Sequence, residues 1–237
     1  MSEESGVSDW NPVEGLTIAI DGPSGSGKGT VAKMLADELA LPVLDTGLLY
    51  RLTGSVALQR DVSLDCESDV AALVDDLLTD IDWTVDGVFF AGENVTSQLR
   101  NEQVGAAASQ VAAMLSVREK LLGLQHLLAE KGCIMDGRDI GTVVLPNAPA
   151  KFFLTASVRE RARRRWAQLK DDSDSSLEGV LAELKMRDQR DAERQHAPLK
   201  QANDAIGIDS TTLRVDEVID RMLGVLERRK LIARSVS

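Results

Sequence analysis

A short apolar strand runs directly into a glycine-rich loop near the start of this chain, and this feature limits the possible folds most strongly. The strand is Leu16-Thr-Ile-Ala-Ile-Asp21, and Gly22-Pro-Ser-Gly-Ser-Gly-Lys-Gly-Thr30 follows it. Glycines let backbone N–H groups curl around phosphate oxygens, Lys28 adds a point charge, and the next helix offers its positive N-terminus. The loop therefore predicts a nucleoside triphosphate site. The expected ATP contacts are Gly22, Pro23, Ser24, Gly25, Ser26, Gly27, Lys28, Gly29 and Thr30.

The residues after the loop favour this interpretation over a merely flexible turn. Val31, Met34, Leu35 and Leu39 recur at helical spacing, as expected for a crossover helix that packs on a sheet. The position after Lys28, usually Ser or Thr, is Gly29, and the hydroxyl follows one step later at Thr30. This Gly-Lys-Gly-Thr variant resembles small nucleotide kinases more than GTPases or motor ATPases.

Four further apolar runs predict the rest of a sheet. They cover residues 42–45, 132–136, 151–155 and 204–209, and charged or amphipathic stretches separate them. Strands that alternate with helices indicate a parallel, doubly wound sheet with its site at the carboxyl ends of the strands. We therefore predict an α/β fold: a P-loop NTPase core with a five-stranded parallel sheet flanked by helices.

An insertion interrupts this core. Residues 81–85 and 88–91 are apolar runs around Asp86-Gly87, which predicts a hairpin on a type I′ turn. Parallel α/β units rarely contain such a hairpin, so we expect an inserted subdomain with a small antiparallel sheet. The expected boundaries are 15–45 and 119–237 for the core and 46–118 for the subdomain. Helices are predicted from Gly47, within 61–80 and over 101–128.

Two charged helices, 158–170 and 176–195, precede the last strand and are joined by an acidic linker at 171–175. This arrangement predicts a short helical lid over 158–178. Five arginines crowd its first helix, and they either clamp phosphate or form a solvated face paired with the linker aspartates. These arginines are Arg159, Arg161, Arg163, Arg164 and Arg165. An amphipathic helix over 215–229 follows, and residues 1–14 are expected to form a disordered tail.

Two other polar groupings are candidates for the site. Arg187, Asp191 and Arg194 lie at i, i+4 and i+7, so they share one helix face. Spacing alone does not distinguish surface ion pairs from a functional ladder in which Asp191 fixes the arginines. Residues 136–142 directly follow a buried strand, where cleft residues gather in open α/β sheets.

Composition excludes several other classes of protein. The 38 acidic residues outnumber the 27 basic ones, and the net charge of −11 opposes binding of a nucleic acid polymer. Cys66 and Cys133 are too few for a disulfide framework, and the isolated His126 and His196 predict no transition-metal site. Because no apolar run reaches membrane-spanning length, we expect a cytoplasmic protein without a membrane partner. We also expect the protein to be a monomer.

Taken together, these residues resemble the bacterial type of cytidylate kinase, which transfers the γ-phosphoryl group of ATP to CMP or dCMP. The resemblance runs from Leu16 to the last helix. Its most specific elements are GPSGSGKGT (22–30), LDTGLLYR (44–51), ASQVAAMLSVRE (108–119), DGRDIGTVV (136–144) and RDQRDAER (187–194). The hairpin also fits, because this kinase type carries an enlarged monophosphate-binding subdomain.

The resemblance implies a role for each residue of the site. Arg51, Arg138 and Arg194 would hold the acceptor phosphate near Thr46, which is a serine in many family members. Asp191 would take the ribose hydroxyls, and Ser109, Arg118 and Asp139 would read cytosine. The implied catalytic residues are Lys28, Arg161, Arg165 and Arg187. Magnesium would accompany ATP, touching Thr30 and, through water, Asp136.

Two alternatives remain open at this point. One is another P-loop kinase that acts on UMP or on a non-nucleotide acceptor, against which the base-reading trio argues. The other is a nucleotide-dependent switch, although the chain has no N-K-x-D guanine-reading motif. In the kinase interpretation no enzymic base is needed, because a nucleoside monophosphate is already largely ionised at neutral pH, its second pKa being about 6.

Overall fold

Helices and strands alternate along most of the chain in this computed structural model, which describes residues 8–84, 87–169 and 176–235. The α-helices are Lys28–Leu39 (α1), Gly47–Gln59 (α2), Glu67–Asp80 (α3), Glu102–Val111 (α4), Leu115–Ala129 (α5), Val158–Gln168 (α6), Leu177–Glu193 (α7) and Val215–Arg228 (α8). The strands are Trp10–Pro12 (β1), Thr17–Asp21 (β2), Val43–Asp45 (β3), Ile81–Thr84 (β4), Gly87–Phe90 (β5), Glu93–Asn94 (β6), Cys133–Gly137 (β7), Ala150–Thr155 (β8), Ile206–Asp209 (β9) and Ile232–Arg234 (β10). A single π-helical turn covers Ile140–Val144.

A five-stranded parallel sheet forms the centre of the fold, in the order β3-β7-β2-β8-β9. This confirms the predicted α/β class and all five predicted strands. The register pairs Asp45 with Asp136 and Asp21 with Gly137. The carboxyl ends of three neighbouring strands therefore bring acidic side chains to one edge of the sheet, directly beside the glycine-rich loop.

The main hydrophobic core lies between this sheet and helices α1 and α8. Ile18 and Ile20 of β2, Leu35 of α1 and Leu226 of α8 are all inaccessible to solvent. Because β2 is buried on both faces, its apolar residues are continuous rather than alternating. Met34, which was predicted on the packed face of α1, is instead 39 % exposed and lines the cleft.

A separate three-stranded antiparallel sheet, in the order β4-β5-β6, lies among α2, α3 and α4. It confirms the predicted hairpin, whereas the turn residues Val85 and Asp86 lie outside the described residues. Helices α2 and α4 approach closely at Gly54, where a Cβ would lie 2.9 Å from the Cβ of Ala107. Only a glycine at this position allows the two helices to pack at that distance.

The expected disordered tail is wrong for residues 8–14. Strand β1 pairs antiparallel with β10, and Trp10 is only 8 % exposed. The guanidinium of Arg234 lies 4.9 Å from the centre of the Trp10 ring, within cation–π range. Burial of the Trp10 side chain therefore orders residues 8–14, although the residues around Trp10 are mostly polar. Residues 1–7 lie outside the described residues.

The helix predicted over 101–128 is interrupted between Val111 and Leu115. The backbone N–H of Ser116 would continue the helix by bonding to the carbonyl of Ala112, but it donates instead to Glu67 Oε1 at 2.8 Å. The freed Ala112 carbonyl accepts from the guanidinium groups of Arg118 at 3.2 Å and Arg194 at 3.4 Å. The interruption thus creates an acceptor for two arginines of the predicted site.

The two charged helices are present as α6 and α7, and the linker 171–175 between them lies outside the described residues. The aspartates with which the arginine cluster was alternatively expected to pair are in that linker. No helix in the described part of the chain has both the length and the apolar character needed to cross a membrane.

Candidate active site

The phosphate loop has a backbone that only glycine permits at its first position. Gly22 has a φ of 150°, and a Cβ there would lie 2.0 Å from the carbonyl oxygen of Leu154. At the other end, Gly27 has a φ of 94° and precedes α1 without a side-chain cap. The first N–H groups of α1 are therefore available to an anion, as the sequence predicts.

Lys28 points into this loop. Its ammonium donates to the carbonyl of Pro23 at 3.0 Å, and the side chain is buried. Burial and the neighbouring Arg138 lower the pKa of Lys28 well below its usual range. A phosphate in the loop would favour the charged form and replace the solvation that the ammonium has lost.

Asp136 and Asp45 lie side by side where β7 and β3 end. Burial, and then repulsion from Asp45, raise the pKa of Asp136, while the adjacent Lys28 opposes the rise. Its Oδ2 lies 3.5 Å from the position that a Cβ on Gly29 would occupy, so the carboxylate closely borders the loop. The hydroxyl-bearing Thr30 is exposed and lines the same cleft.

These oxygens fit a magnesium ion that is held mainly by phosphates and water. Magnesium is usually bound through one or two carboxylates together with substrate phosphates and retains several waters. Residues 8–84, 87–169 and 176–235 contain no cluster of three or more His, Cys, Asp or Glu side chains arranged to hold a metal. A protein cage for a cation is therefore absent from these ranges, whereas the buried Asp136 beside the loop suits indirect coordination.

A cleft of about 1500 Å³ extends from the phosphate loop, and guanidinium groups line it. Arg187 Nε and two nitrogens of Arg194, Nε and Nη2, are buried without a hydrogen-bond partner among the described residues. Burial, and then the nearby Arg138, lower the pKa of Arg187 to about 10. Because buried guanidinium N–H groups that lack an acceptor are costly, this arrangement calls for an anionic ligand with several oxygens.

Two other cleft residues are positioned by backbone carbonyls. Arg51 on α2 donates to the carbonyl of Leu99 at 2.7 Å and to that of Asn101 at 3.2 Å. The Thr46 hydroxyl donates to the carbonyl of Asp136 at 2.9 Å. Helix α2 is thereby joined both to the end of β7 and to the segment before α4, and its arginine faces the same cleft.

The far end of the cleft contains a buried ion pair. Arg118 Nη2 donates to Asp139 Oδ2, and both side chains are at least nine-tenths buried. Asp139 Oδ1 accepts no hydrogen bond from the described residues, and Arg194 Nη2 is 3.9 Å from it. The buried Ser109 hydroxyl nearby also has no partner there. A carboxylate oxygen that accepts no hydrogen bond, a guanidinium and a hydroxyl are thus available to a polar planar ligand.

The predicted Arg–Asp–Arg ladder on α7 is not formed as expected. Asp191 pairs with Arg138, which directly follows β7 and whose Nε lies 3.1 Å from Asp191 Oδ2. Arg194 follows the last residue of α7 and has an extended backbone, so it turns away from the helix. The structure still brings Arg187, Asp191 and Arg194 to one cleft, but Arg138, from the segment after β7, pairs with the aspartate.

The arginines of α6 divide into two groups. Arg161 is 5 % exposed and forms a two-pronged ion pair with Asp188, at 3.0 and 2.6 Å, and it also donates to the carbonyl of Ser24 at 3.0 Å. Arg164 likewise donates to the carbonyl of Ser210 at 2.6 Å. Arg165 lines the cleft, but Arg161 does not. Arg161 therefore joins α6 and α7 to the phosphate loop instead of facing the ligand space.

A smaller cavity of about 370 Å³ adjoins the loop, and sequence reasoning missed one of its walls. The segment 210–214, which follows β9, forms one wall, and Glu160, Arg163 and Arg164 form another. Three consecutive hydroxyl residues, Ser210-Thr-Thr212, follow a strand of the sheet, and this was the available signal. Polar residues in such positions line the cleft of open α/β sheets.

Comparison with known proteins gives a consistent result. The family model described as "Cytidylate kinase" matches residues 18–228. A cytidylate kinase from Azotobacter vinelandii is 48 % identical over 225 residues, covering 92 % of this chain and 98 % of its own. One from Stutzerimonas stutzeri is 50 % identical, covering 90 % of this chain and 96 % of its own, and one from Geobacillus is 47 % identical, with coverages of 90 % and 97 %. The chain therefore belongs to the cytidylate kinase family of nucleoside monophosphate kinases.

Proposed function

We propose that this protein transfers the γ-phosphoryl group of ATP to CMP or dCMP, producing ADP and CDP or dCDP. The proposal rests on the arrangement of polar groups at the far end of the cleft. There the Ser109 hydroxyl has no partner among the described residues, and Asp139 Oδ1 accepts no hydrogen bond from them, although Arg194 Nη2 is 3.9 Å away. Arg118 pairs with the other oxygen of Asp139, and the phosphate loop borders the same cleft. Sequence similarity to cytidylate kinases supports the same conclusion.

Cytosine complements the polar groups at this end. Its exocyclic amine donates, while N3 and O2 accept. In this proposal Asp139 Oδ1 accepts from the amine, whereas Arg118 and the Ser109 hydroxyl donate to the ring acceptors. Asp139 can serve two partners because an ionised carboxylate has about four acceptor sites, and Arg118 occupies one.

The arginines of the cleft hold the acceptor phosphate in this proposal. Arg51, Arg138 and Arg194 supply guanidinium forks that match phosphoryl oxygens, and the unpartnered nitrogens of Arg194 support this role. Arg187 contacts the phosphoryl group during its transfer. Asp191 orients Arg138 and also accepts hydrogen bonds from the ribose hydroxyls. Lys28 and Arg165 complete the positive surroundings of the transferring group.

Catalysis then depends on position and charge. The attacking phosphate oxygen is already ionised at neutral pH, the second pKa of a nucleoside monophosphate being about 6. No histidine is among the residues that line the cleft in the described part of the chain. Lys28 and the arginines neutralise the charge on the phosphoryl group as it moves between the two oxygens.

Magnesium belongs to the proposal as the partner of ATP. When bound, it would supply charge neutralisation at the terminal phosphates. The Thr30 hydroxyl and, through water, the Asp136 carboxylate would hold it, and the raised pKa of Asp136 supports the need for a nearby cation. Arg161, by contrast, acts in this proposal by positioning the phosphate loop through Ser24.

The domain division is also part of the proposal. Residues 46–118 would bind the monophosphate, residues 15–45 and 119–237 would form the core, and 158–178 would close as a lid. Arg161 and Arg164 donate to the carbonyls of Ser24 and Ser26 in the phosphate loop, which supports a lid that closes over this loop. A cytoplasmic location and a monomeric state stay predictions of the sequence.

A coupled assay of ADP release tests the function. We expect turnover with CMP and dCMP in the presence of ATP and magnesium, and a rate with UMP that is lower by about 30-fold or more, as hydrogen-bonded selectivity allows. Equal turnover of UMP would point to a different acceptor. ATP binding without ADP release in the presence of CMP would contradict a kinase and favour a nucleotide-dependent switch.

A further inference from the structure

Asp21 is a buried acidic residue to which the proposed function assigns no role. It ends β2, is 3 % exposed and is not among the residues that line the cleft. Its Oδ1 accepts from the backbone N–H of Ile140 and its Oδ2 from that of Gly141, each at 2.7 Å. Both oxygens of one carboxylate are therefore used on two consecutive amides.

These two amides begin the single π-helical turn Ile140–Val144. The carbonyl of Asp139 accepts from Val143 N at 2.8 Å and from Val144 N at 3.2 Å, which closes the turn. The side chain of Asp139 provides no cap. The first N–H groups of a helical turn need an external acceptor, and Asp21 supplies it from a different strand.

Both partners of this contact are fixed in place. Asp21 lies on the central strand of the sheet, and Gly22 after it is in contact with Leu154. A Cβ on Gly141 would lie 3.3 Å from Asp21 Oδ2 and 3.1 Å from Lys151 Cδ. A side chain at residue 141 would therefore crowd the carboxylate, and glycine avoids this.

The turn directly follows the residues that carry the proposed base and phosphate contacts. Asp139, which pairs with Arg118, precedes Ile140, and Arg138 lies one residue earlier. We propose that Asp21 is a positioning residue for base selection, since its carboxylate fixes the turn that directs Asp139 toward the base. This inference rests on the proposed function.

Asp21 also connects the two proposed substrate sites, through its peptide bond to Gly22 and through its hydrogen bonds to Ile140 and Gly141. The residue after it begins the phosphate loop, and the turn that it holds ends the base-reading segment. Burial raises the pKa of Asp21 to about 6, against the lowering effect of the two backbone bonds. Burying a charged carboxylate costs free energy of folding. This cost favours a role for Asp21 in positioning the turn rather than in stabilising the protein.

The test uses Asp21→Asn, which preserves size but retains one acceptor oxygen and places an NH2 group against a backbone N–H. We expect kcat/KM for CMP to fall about 10- to 100-fold, as for a buried group deprived of its partner. The ratio of kcat/KM for CMP to that for UMP should fall with it, while KM for ATP stays nearly unchanged. A change in KM for ATP with an unchanged CMP-to-UMP ratio would overturn the inference. It would indicate that Asp21 acts on ATP binding through Lys28 instead.

Ile18→Val on the same strand is the matched control. Ile18 is fully buried, and the substitution weakens β2 packing without touching the turn. It should leave the CMP-to-UMP ratio at the wild-type value even where its unfolding midpoint falls as far as that of Asp21→Asn. A parallel drop in the ratio would show that general loosening of the strand is responsible.

Two further measurements separate this inference from the proposed function. Amide hydrogen exchange on the ligand-free protein should show that at least one of Ile140 and Gly141 loses protection in Asp21→Asn, while Val143, which bonds to Asp139, changes less. Unchanged protection overturns the contact whether or not CMP is a substrate. In an Asp139→Asn background, Asp21→Asn should have no further effect on the CMP-to-UMP ratio, and an additive effect would contradict action through Asp139. A wild-type protein inactive on CMP would instead refute the proposed function, leaving hydrogen exchange to decide the contact.

Discussion

Replacement of Asp139 by Asn tests the proposed reading of the base most directly. The substitution preserves the shape of the side chain but removes the charge opposite Arg118, and both side chains are at least nine-tenths buried. It also changes one carboxylate oxygen into an NH2 group. An acceptor for the cytosine amine is thereby weakened, while a donor that suits uracil O4 is created.

Two magnitudes follow from this geometry. Uracil reverses two hydrogen-bond polarities relative to cytosine, and each unpaired buried group costs about 1–3 kcal/mol. The wild-type preference for CMP over UMP should therefore lie between about 30-fold and 10⁴-fold, since 1.36 kcal/mol corresponds to a factor of ten. In Asp139→Asn we expect this preference to fall to about tenfold or less, because a neutral amide satisfies either base.

The same change should destabilise the free protein. Removing one partner of a buried ion pair costs about 3–5 kcal/mol, and here the lower end applies. Arg118 keeps a hydrogen bond to the Ala112 carbonyl and lies 5.4 Å from the centre of the Tyr50 ring. Urea unfolding measures this cost, and it also establishes that the variant is folded under assay conditions.

Asp188→Asn is the matched control. Asp188 also pairs with an arginine, Arg161, but it lies outside the residues that line the cleft. Its substitution should lower activity with CMP and UMP alike and leave their ratio unchanged. A folded Asp139→Asn enzyme that retained the wild-type CMP-to-UMP ratio would refute the reasoning, because the carboxylate would then not contact the base.

Three other variants or titrations test separate parts of the structure. Lys28→Met should abolish most kinase activity without lowering the urea midpoint, because burial already disfavours the ammonium, and near-normal turnover would remove Lys28 from the mechanism. Arg161→Ala should cost about 3 kcal/mol of unfolding free energy, since it leaves Asp188 and the Ser24 carbonyl without their donor, and an unchanged midpoint would contradict this. Hydrogen bonds from Arg163 and Arg164 lower the pKa of Glu160 to about 2. Its stabilising contribution should therefore be complete above pH 4.5 and disappear as the pH falls toward 2, and NMR titration to an ordinary pKa of 4.5 would disprove the contact.

Much of the fold was predictable because its signals are local. A strand that enters a glycine-rich loop and a helix must have a fixed geometry, and the five apolar runs are all strands of the parallel sheet. The hairpin was predictable for the same reason, since two short β runs flank a turn dipeptide. These features depend on residues that are neighbours along the chain.

The failures have a different physical origin. Residues 8–14 contain a strand because Trp10 is buried in the main core and β1 pairs with a strand more than 200 residues away. The helix over 101–128 breaks because Glu67, from another helix, takes the Ser116 amide. In both cases a distant partner outweighs the local pattern, and no window of sequence contains that partner.

The site shows the same division. By itself, the sequence determined the phosphate loop, the sheet and the residue types that gather at its carboxyl edge, because periodicity and turn chemistry are properties of short segments. Only the tertiary structure decided that Asp191 pairs with Arg138, that Arg161 bonds to Asp188 and Ser24, and that one oxygen of Asp139 accepts no hydrogen bond. In each case the sequence offers several charged partners of similar chemistry. Distance and burial in the folded chain determine which of them interact.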